Sequence, residues 1–369
     1  MPARRRFLML SAAPFAPSLS SAQSPQPPFR LAVAGLVHGH ARGFLNLLQR
    51  HPEVQLAGVS DPSGPLRHSY SERFQIPANR LFVSIDEMLD RTRPDAVALF
   101  GSTFDHPAGV EACAARRIPV MMEKPLAVSL EHAARIDRAS RQSGIPVIVN
   151  YETTWYRSHA ALWRFFREQK AAGAIRKMVA MDGHMGPREI GVGPEFFSWL
   201  TDPKLNGAGA LFDFGCYGAN LMTWMLDNAR PLSVTARTLR IKPKIYSHVD
   251  DEATIVVDYP AAQGIIQASW NWPYHRKDFE VYGESGYAHA IGGNLVRFRT
   301  APREPEQTLT PPELPPDETD AVTYLRAIAR GRLKPAGLSS LENNLIATEI
   351  LVAARESART GRTVTRPVK

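Results

Sequence analysis

Short apolar runs alternate with segments of helical periodicity along the first 150 residues of the chain. Continuous apolar runs predict buried strands, and apolar positions spaced three and four apart predict helices. The predicted strands are 31–34, 54–60, 96–100, 119–122 and 146–150, and the predicted helices are 41–49, 85–91, 106–116 and 130–143. This order predicts an α/β domain with a parallel, doubly wound sheet over residues 30–150.

The spacing changes after residue 150. A predicted helix at 159–169 leads into segments with strand character. These segments are 177–182, 232–241, 252–258, 264–270 and 278–282, and two helices follow at 319–330 and 340–360. The last four strands follow one another closely, as in an antiparallel sheet. We therefore expect residues 151–369 to form an α+β domain with a large, mainly antiparallel open sheet and C-terminal helices.

The N-terminus carries the features of an export signal. Arg4-Arg5-Arg6 is followed by Phe7-Leu8, by an apolar run at 9–15 and by the small residues Ser20-Ser21-Ala22. Such an arginine pair is typical of a twin-arginine signal. Residues 1–22 are thus interpreted as a signal peptide of a periplasmic or otherwise exported protein, and residues 23–29 as a proline-rich tether. A basic N-terminus with a short apolar patch is the alternative.

Composition narrows the class of protein. The chain of 369 residues is 44% hydrophobic and 22% charged, which is enough apolar material for two packed domains. The net charge of +8 includes the three arginines of the signal, and no later run of Lys and Arg is interleaved with aromatic residues. We expect no nucleic-acid partner and, once the signal is removed, no membrane span.

The two cysteines, Cys113 and Cys216, have no zinc-type spacing, and no metal is predicted. Both thiols are expected to be free, with Cys113 in a helix and Cys216 in a loop.

The turn after the first strand reads Gly35-Leu36-Val37-His38-Gly39-His40. A Rossmann dinucleotide site has glycines at positions 1, 3 and 6 of this turn, so that backbone N–H groups approach the pyrophosphate. Gly35 fits the first position, whereas Val37 and His40 stand at the other two. Gly39 and Gly43 could compensate, and His38 or His40 could donate to a phosphate. An ordinary βα turn is the alternative.

Asp61 ends the second strand, where an acid binds the adenosine ribose in such folds. No arginine follows it directly, which favours NAD over NADP, although NADP stays possible. An Asp-Pro turn with Pro62 is the alternative.

Two further motifs suggest a family. Glu123-Lys124-Pro125 follows an apolar strand, and Asp213-Phe214-Gly215-Cys216-Tyr217 lies in the second domain. With Asp95-Ala96-Val97, His106, the glycine–alanine run at 207–210 and Gly283-Glu284-Ser285-Gly286, the chain resembles the Gfo/Idh/MocA oxidoreductases from Arg30 to Arg366.

The resemblance implies a site. Lys124 would bridge cofactor and substrate, and its peptide bond to Pro125 would be cis. Asp213 would face the substrate. The residue four positions on is histidine in most members, but here it is Tyr217, as in the glucose–fructose oxidoreductase branch, where tyrosine is the acid/base. Glu152 stands where the family commonly has an arginine. A homo-oligomer through the second-domain sheet is also expected.

The predicted site residues are these. The catalytic set is Lys124, Asp213 and Tyr217. The cofactor-binding set is Gly35, Val37, His38, Gly39, His40, Asp61, Ser102, His106, Glu123 and Lys124. The substrate-binding set is Lys124, Trp155, Tyr156, Asp213 and Tyr217.

Local geometry supports the catalytic set. If a helix begins near Gly215, Asp213 is its N-cap and Tyr217 lies one turn later on the same face. To act as a base near neutrality, Tyr217 needs a pKa lowered by roughly 2–3 units, and the Lys124 ammonium would favour the phenolate. A core tyrosine with a satisfied hydroxyl is the alternative.

These observations predict an exported oxidoreductase that transfers hydride between a sugar or cyclic polyol and NAD. Because a free nicotinamide pool is not expected outside the cytoplasm, the cofactor would be tightly bound and recycled within the site. An NAD-dependent glycosidase that oxidises and eliminates transiently is one alternative, and a non-catalytic sugar-binding relative is another. The aromatic cluster at 270–276 fits a sugar face or a core equally well.

Overall fold

The computed structural model describes residues 27–365. The predicted signal peptide (1–22) and most of the tether lie outside the described residues. The tether prediction extends one residue too far, because Phe29 is already the buried first residue of a strand. No helix between residues 27 and 365 combines the length and the hydropathy that crossing a bilayer requires.

The first domain alternates strands and helices throughout. Its elements are β1 (Phe29–Ala34), α1 (His40–Leu48), β2 (Val54–Ser60), α2 (Gly64–Phe74), β3 (Leu81–Phe82), α3 (Ile85–Thr92), β4 (Ala96–Leu99), α4 (His106–Ala115), β5 (Val120–Glu123), α5 (Leu130–Ser143) and β6 (Val147–Asn150). The sheet is parallel in the order β3-β2-β1-β4-β5-β6. The Rossmann prediction is confirmed, and the strand order reverses between β1 and β4, where such sheets bind ligands.

Helix α2 is missing from the sequence prediction. The segment has little apolar periodicity and buries only Tyr70. It is initiated by Ser63, whose side chain accepts a hydrogen bond from Leu66 N, and by a proline in the first turn. The start of this helix is therefore determined by its N-cap and its proline, because the hydrophobic pattern of the segment does not predict a helix.

The second domain holds a nine-stranded sheet. Its elements are α6 (Arg157–Trp163), β7 (Ile175–Gly183), α7 (Pro194–Leu200), α8 (Pro203–Asn206), α9 (Ala210–Asp213), α10 (Gly215–Met225), β8 (Ser233–Leu239), β9 (Glu252–Asp258), β10 (Gln263–Ser269), β11 (Arg276–Gly283), β12 (Tyr287–Ile291), β13 (Leu295–Arg299), β14 (Gln307–Leu309), α11 (Ala321–Ala329), α12 (Leu341–Thr360) and β15 (Val364–Thr365). The order is β14-β13-β12-β11-β7-β10-β9-β8-β15, antiparallel except between β7 and β10. The prediction of a mainly antiparallel sheet is confirmed. Helices α10 and α12 cover one of its faces.

The C-terminal helices do not all stay with the second sheet. The buried residues Val322 and Leu325 of α11 belong to the same core as Leu31 of β1 and Phe44 of α1. The first sheet ends at Asn150 and the second begins at Ile175, but α11 returns to complete a face of the first domain.

A tight turn places Asp213. The Asp250 carboxylate accepts hydrogen bonds from Gly209 N (2.9 Å) and Leu211 N (2.7 Å), which starts the one-turn helix α9. The N-cap prediction for Asp213 is wrong: Asp213 ends α9, and Phe214 caps α10. The loop prediction for Cys216 is wrong for the same reason, since α10 begins at Gly215.

Replacing Gly209 tests this turn. A Cβ at this position would overlap the carbonyl oxygen of Asp250, so Gly209→Ala is expected to lower the free energy of unfolding by about 3 kcal/mol. Gly43→Ala is the matched control, because a Cβ there meets nothing within 4 Å and α1 should gain about 0.5–1 kcal/mol. Urea unfolding of both variants measures the difference, and equal stabilities would contradict this account of the turn.

Candidate active site

A crevice opens where the sheet order reverses. A cavity of about 450 Å³ lies there, and its lining includes Gly35, Val37, Asp61 and His106. Gly35 has φ +84°, and a Cβ on it would overlap the backbone nitrogen of Gly101. Only glycine therefore suits this turn, which brings the loop after β1 against the end of β4.

Asp61 fixes the loop to the end of β2. Its Oδ2 accepts from Leu36 N and its Oδ1 accepts from Ser63 N, both at 2.8 Å. Burial raises the pKa of this carboxyl despite those bonds. The residue predicted to bind ribose thus lies on the crevice wall and also orders the glycine loop.

His106 offers a test of whether the crevice fits a ligand. Its Nδ1 bonds to the Leu126 carbonyl at 3.1 Å, while its buried Nε2 has no partner among the described residues. His106 belongs to the lining of the crevice, and a buried polar atom without a partner is costly unless a ligand satisfies it. With the glycine turn and the acid at β2, this nitrogen makes the crevice suitable for a dinucleotide.

Two of the residues predicted to bind the cofactor, His38 and Ser102, lie outside the crevice lining. His38 is 2% exposed, packs against the rings of Phe196 and Trp199, and accepts a hydrogen bond from His40 N at 3.1 Å. Ser102 is also buried and donates to Asp105 Oδ2 at 2.6 Å. Neither side chain lines the crevice, so both shape the loops around it.

His38, His40 and Glu123 bring possible ligand atoms within 4.8 Å of one another. However, His38 Nδ1 is already the acceptor for the His40 amide, so its Nε2 carries the proton. In this tautomer His38 offers no free lone pair to a metal ion.

A second cavity, of about 340 Å³, lies between the domains. The Rossmann side supplies Gly39, His40, Arg42 and Lys124. The facing wall includes Glu152, His184, Asp213, Tyr217, His275 and Lys277. The three predicted catalytic residues therefore share one cavity.

Lys124 and Asp213 form a buried ion pair across the two domains. Lys124 Nζ lies 2.5 Å from Asp213 Oδ1 and 2.9 Å from the Asp213 carbonyl oxygen. Trp270 Nε1 donates to Asp213 Oδ2 at 2.9 Å, which completes the carboxylate's partners. The Lys124–Pro125 peptide bond is cis, as the family resemblance implies.

Each member of this pair stabilises the charged form of the other. Burial alone would raise the pKa of Asp213, but the Lys124 ammonium outweighs it and lowers the pKa to about 2. Burial likewise acts against the charged form of Lys124, and Asp213 overcomes it, so the pKa of Lys124 is raised. Both groups are charged at neutral pH.

Tyr217 lies beside a second lysine that the sequence analysis does not single out. Lys277 Nζ is 3.3 Å from the Tyr217 hydroxyl and 4.4 Å from the centre of its ring, and it forms an ion pair with Glu152. Lys124 is farther away, at 5.1 Å from the ring centre. The ammonium next to the phenol is therefore Lys277.

The expected lowering of the Tyr217 pKa is wrong. Burial, and then the negative charge of Glu152, raise the pKa of Tyr217 well above its usual value. The phenol is thus protonated at neutral pH, poised as a donor.

The predicted substrate residues Trp155 and Tyr156 lie elsewhere. Trp155 packs against Tyr324 and lines a separate cavity of about 380 Å³. Tyr156 donates to Glu152 Oε1 at 2.5 Å and so reaches the site only through that carboxylate. Trp270, from the second aromatic cluster, is fully buried.

Three residues missed as site members are Lys277, Glu152 and His184. Lys277 carries a sequence signal: it occupies an inward position of β11, where neighbours such as Phe279 and Val281 are apolar. A lysine in that register must find a partner or a function. His184 has no comparable signal; burial lowers its pKa to about 4, so it is neutral.

Comparison with known proteins agrees with this geometry. Residues 29–151 match the family model described as "Oxidoreductase family, NAD-binding Rossmann fold", and residues 163–289 match the "GFO/IDH/MocA C-terminal domain". D-apiose dehydrogenase from Rhizobium rhizogenes is 26% identical over 302 residues, which cover 75% of this chain and 84% of that protein. 1,5-Anhydro-D-fructose reductase from Ensifer adhaerens is 24% identical over 62% of this chain and 64% of its own length.

Solved structures share the fold. Aldose–aldose oxidoreductase from Caulobacter crescentus, complexed with glycerol, superimposes with a TM-score of 0.77 at 20% identity over 92% of this chain and 100% of that one. An inositol dehydrogenase homologue complexed with NAD⁺ from Azotobacter vinelandii gives 0.79 at 18% identity, over 92% and 98%. With both domains matched in order, the chain belongs to the Gfo/Idh/MocA family of NAD(P)-dependent oxidoreductases.

Proposed function

We propose that this protein oxidises or reduces a carbinol carbon of a neutral sugar or cyclic polyol. The observation that carries the proposal is that Lys124–Asp213 and Tyr217–Lys277 meet in one cavity beside the crevice. The names of the relatives support it, since they include dehydrogenases of D-apiose and D-xylose.

The charges of the cavity favour a neutral substrate. Each cation on its walls is matched by an acid: Lys124 by Asp213, Lys277 by Glu152 and Arg42 by Glu195. Of the three histidines in the lining, His184 and His275 have pKa values lowered by burial, and His40 faces the Glu123 carboxylate. No cation in the lining is left to neutralise a sugar carboxylate, whereas the paired carboxylates and amines suit hydroxyl groups.

Each residue has a role in this proposal. The bound nicotinamide supplies hydride transfer. Lys124 and Asp213 hold the reacting hydroxyl, and the carboxylate orients the ammonium. In reduction the Tyr217 phenol gives its proton to the substrate oxygen. In oxidation it takes the hydroxyl proton while its own proton passes through Lys277 to Glu152. Because Glu152 is about half exposed at the cavity, this route ends near solvent.

Loss of Lys124 should abolish turnover. Lys124→Ala removes the group that holds the substrate oxygen, so the reduction of NAD(P)⁺ by sugars should fall by about 10³-fold or more. It also leaves Asp213 buried without a partner, which costs about 3–5 kcal/mol. The double variant Lys124→Met/Asp213→Asn removes both charges and separates the two effects. Near-full activity in a folded variant would refute the assignment.

Loss of Lys277 should affect the chemical step more than binding. Lys277→Met removes the ammonium beside the phenol, so kcat should fall about 100-fold while KM changes little. Lys177→Met is the matched control, since Lys177 lies on β7 of the same sheet and contacts Gln263. Equal kinetics for the two variants would exclude a role for Lys277 in proton transfer.

We also propose export through a twin-arginine signal at residues 1–22, with the dinucleotide already bound. The full chain, expressed in a bacterium with that pathway, should accumulate in the periplasm and begin after Ala22. The triple variant Arg4→Lys/Arg5→Lys/Arg6→Lys should remain in the cytoplasm. Denatured periplasmic protein should release about one nicotinamide dinucleotide per chain by mass spectrometry. If the variant reached the periplasm as the wild type does, the twin-arginine signal would be contradicted. If the denatured periplasmic protein released no dinucleotide, tight binding would be contradicted.

A further inference from the structure

We propose that His40 and Glu123 form a second proton-transfer pair, which exchanges the C–H proton next to the carbonyl produced by oxidation. The inference rests on the proposed function, because that proton is acidic only after the neighbouring carbon has been oxidised.

His40 stands at the third glycine position of the fingerprint, and its side chain lines the cavity between the domains. It lies on the Rossmann wall, whereas Tyr217 and Lys277 lie on the wall of the second domain. The side chain is about half exposed, unlike the buried His38 next to it. An imidazole from the Rossmann domain therefore lines the same cavity as the phenol from the second domain.

Glu123 orients this imidazole. Its Oε2 lies 3.1 Å from His40 Nδ1, and its Oε1 accepts from Asn150 Nδ2 at 2.7 Å. Burial would raise the pKa of Glu123, but His40, His38 and Asn150 outweigh it and lower the pKa to about 2. The carboxylate accepts a hydrogen bond from His40 Nδ1–H, so Nε2 is the ring nitrogen left to exchange a proton with a substrate.

Nε2 has no hydrogen-bond partner among residues 27–365. A histidine held at Nδ1 by a buried carboxylate, with Nε2 free, is the arrangement of a general base. Asn150 is in turn an acceptor for Trp155 Nε1 at 3.0 Å, so a chain of hydrogen bonds fixes the pair.

The chemistry balances without a further reagent. When a bound nicotinamide takes hydride from the carbinol carbon, Tyr217 would take the hydroxyl proton while its own proton passes through Lys277 to Glu152. His40 Nε2 then takes the proton from the adjacent carbon, which gives an enolate and an imidazolium facing Glu123. Return of a proton from the imidazolium restores the ketone, and return of the hydride restores the alcohol. In D₂O the adjacent carbon gains deuterium with no net redox change.

The experiment compares exchange with hydride transfer in the holoenzyme. Wild-type protein with NAD⁺ and a sugar that it oxidises is incubated in D₂O. Deuterium on carbon is measured by NMR, and hydride transfer is measured by absorbance of the reduced cofactor. Wild-type enzyme is expected to label the carbon next to the oxidised one. In His40→Gly, which places a glycine at the fingerprint position, the ratio of exchange to hydride transfer should fall at least tenfold, and added imidazole should restore it in part.

A second measurement needs no redox turnover. The oxidised product, isolated from the wild-type reaction and returned with NAD⁺ alone, should still exchange its adjacent proton with wild-type protein and not with His40→Gly. His68→Asn is the matched control, because His68 pairs with Glu72 on the exposed surface of α2. Dinucleotide affinity is measured for each variant.

The outcomes separate the hypotheses. If hydride transfer and exchange fall together in His40→Gly with weaker dinucleotide binding, His40 only binds the cofactor and the inference is overturned. Hydride transfer without deuterium incorporation in the wild type overturns it as well. Exchange of a supplied ketone without any sugar oxidation keeps the proton-transfer pair and rejects the proposed function.

Discussion

The ion pair between Lys124 and Asp213 is the constraint on which the site depends. It joins the end of a Rossmann strand to the end of a one-turn helix in the second domain, and both partners are buried. Two isolated charges at such depth would be expensive, and together they are tolerable only when each oxygen and each proton finds a partner. Trp270 and the Asp213 carbonyl provide those partners. This contact links the two domains at the cavity and keeps both of its groups charged next to Tyr217.

The Rossmann half could be predicted well from sequence, because its strands are continuous apolar runs and its helices are periodic. The prediction of helix α5 at 130–143 agrees with the structure at both ends. The missed helices α7, α8 and α9 are too short to show a period, and they begin at Pro194, Pro203 and the Gly209 turn. The position of Asp213 depends on Asp250, distant in sequence, which no local pattern reveals.

The site itself was predictable only in part. Lys124, Asp213 and Tyr217 could be predicted as one site because they lie in two sequence motifs that resemble those of the family. Trp155 is predicted to contact the substrate because it lies in an aromatic stretch at the start of the second domain, yet its ring packs against Tyr324 of α11. Lys277 was passed over because its role depends on strand register: it lies opposite Asp182 on β7 and beneath Tyr217. Asp182 carries no hydrogen bond to its side-chain oxygens among the described residues, and burial raises its pKa well above the usual value.

Helix α11 has a consequence for how the chain acquires its structure. The first sheet to emerge during synthesis lacks part of its apolar cover until α11, close to the C-terminus, has been made. Until then the part of this core that Val322, Leu325 and Ile328 complete has no cover from α11. The nucleotide-binding half therefore cannot reach its final packing as an independent nascent domain. Its core is complete only after α11 has been synthesised and has packed against it.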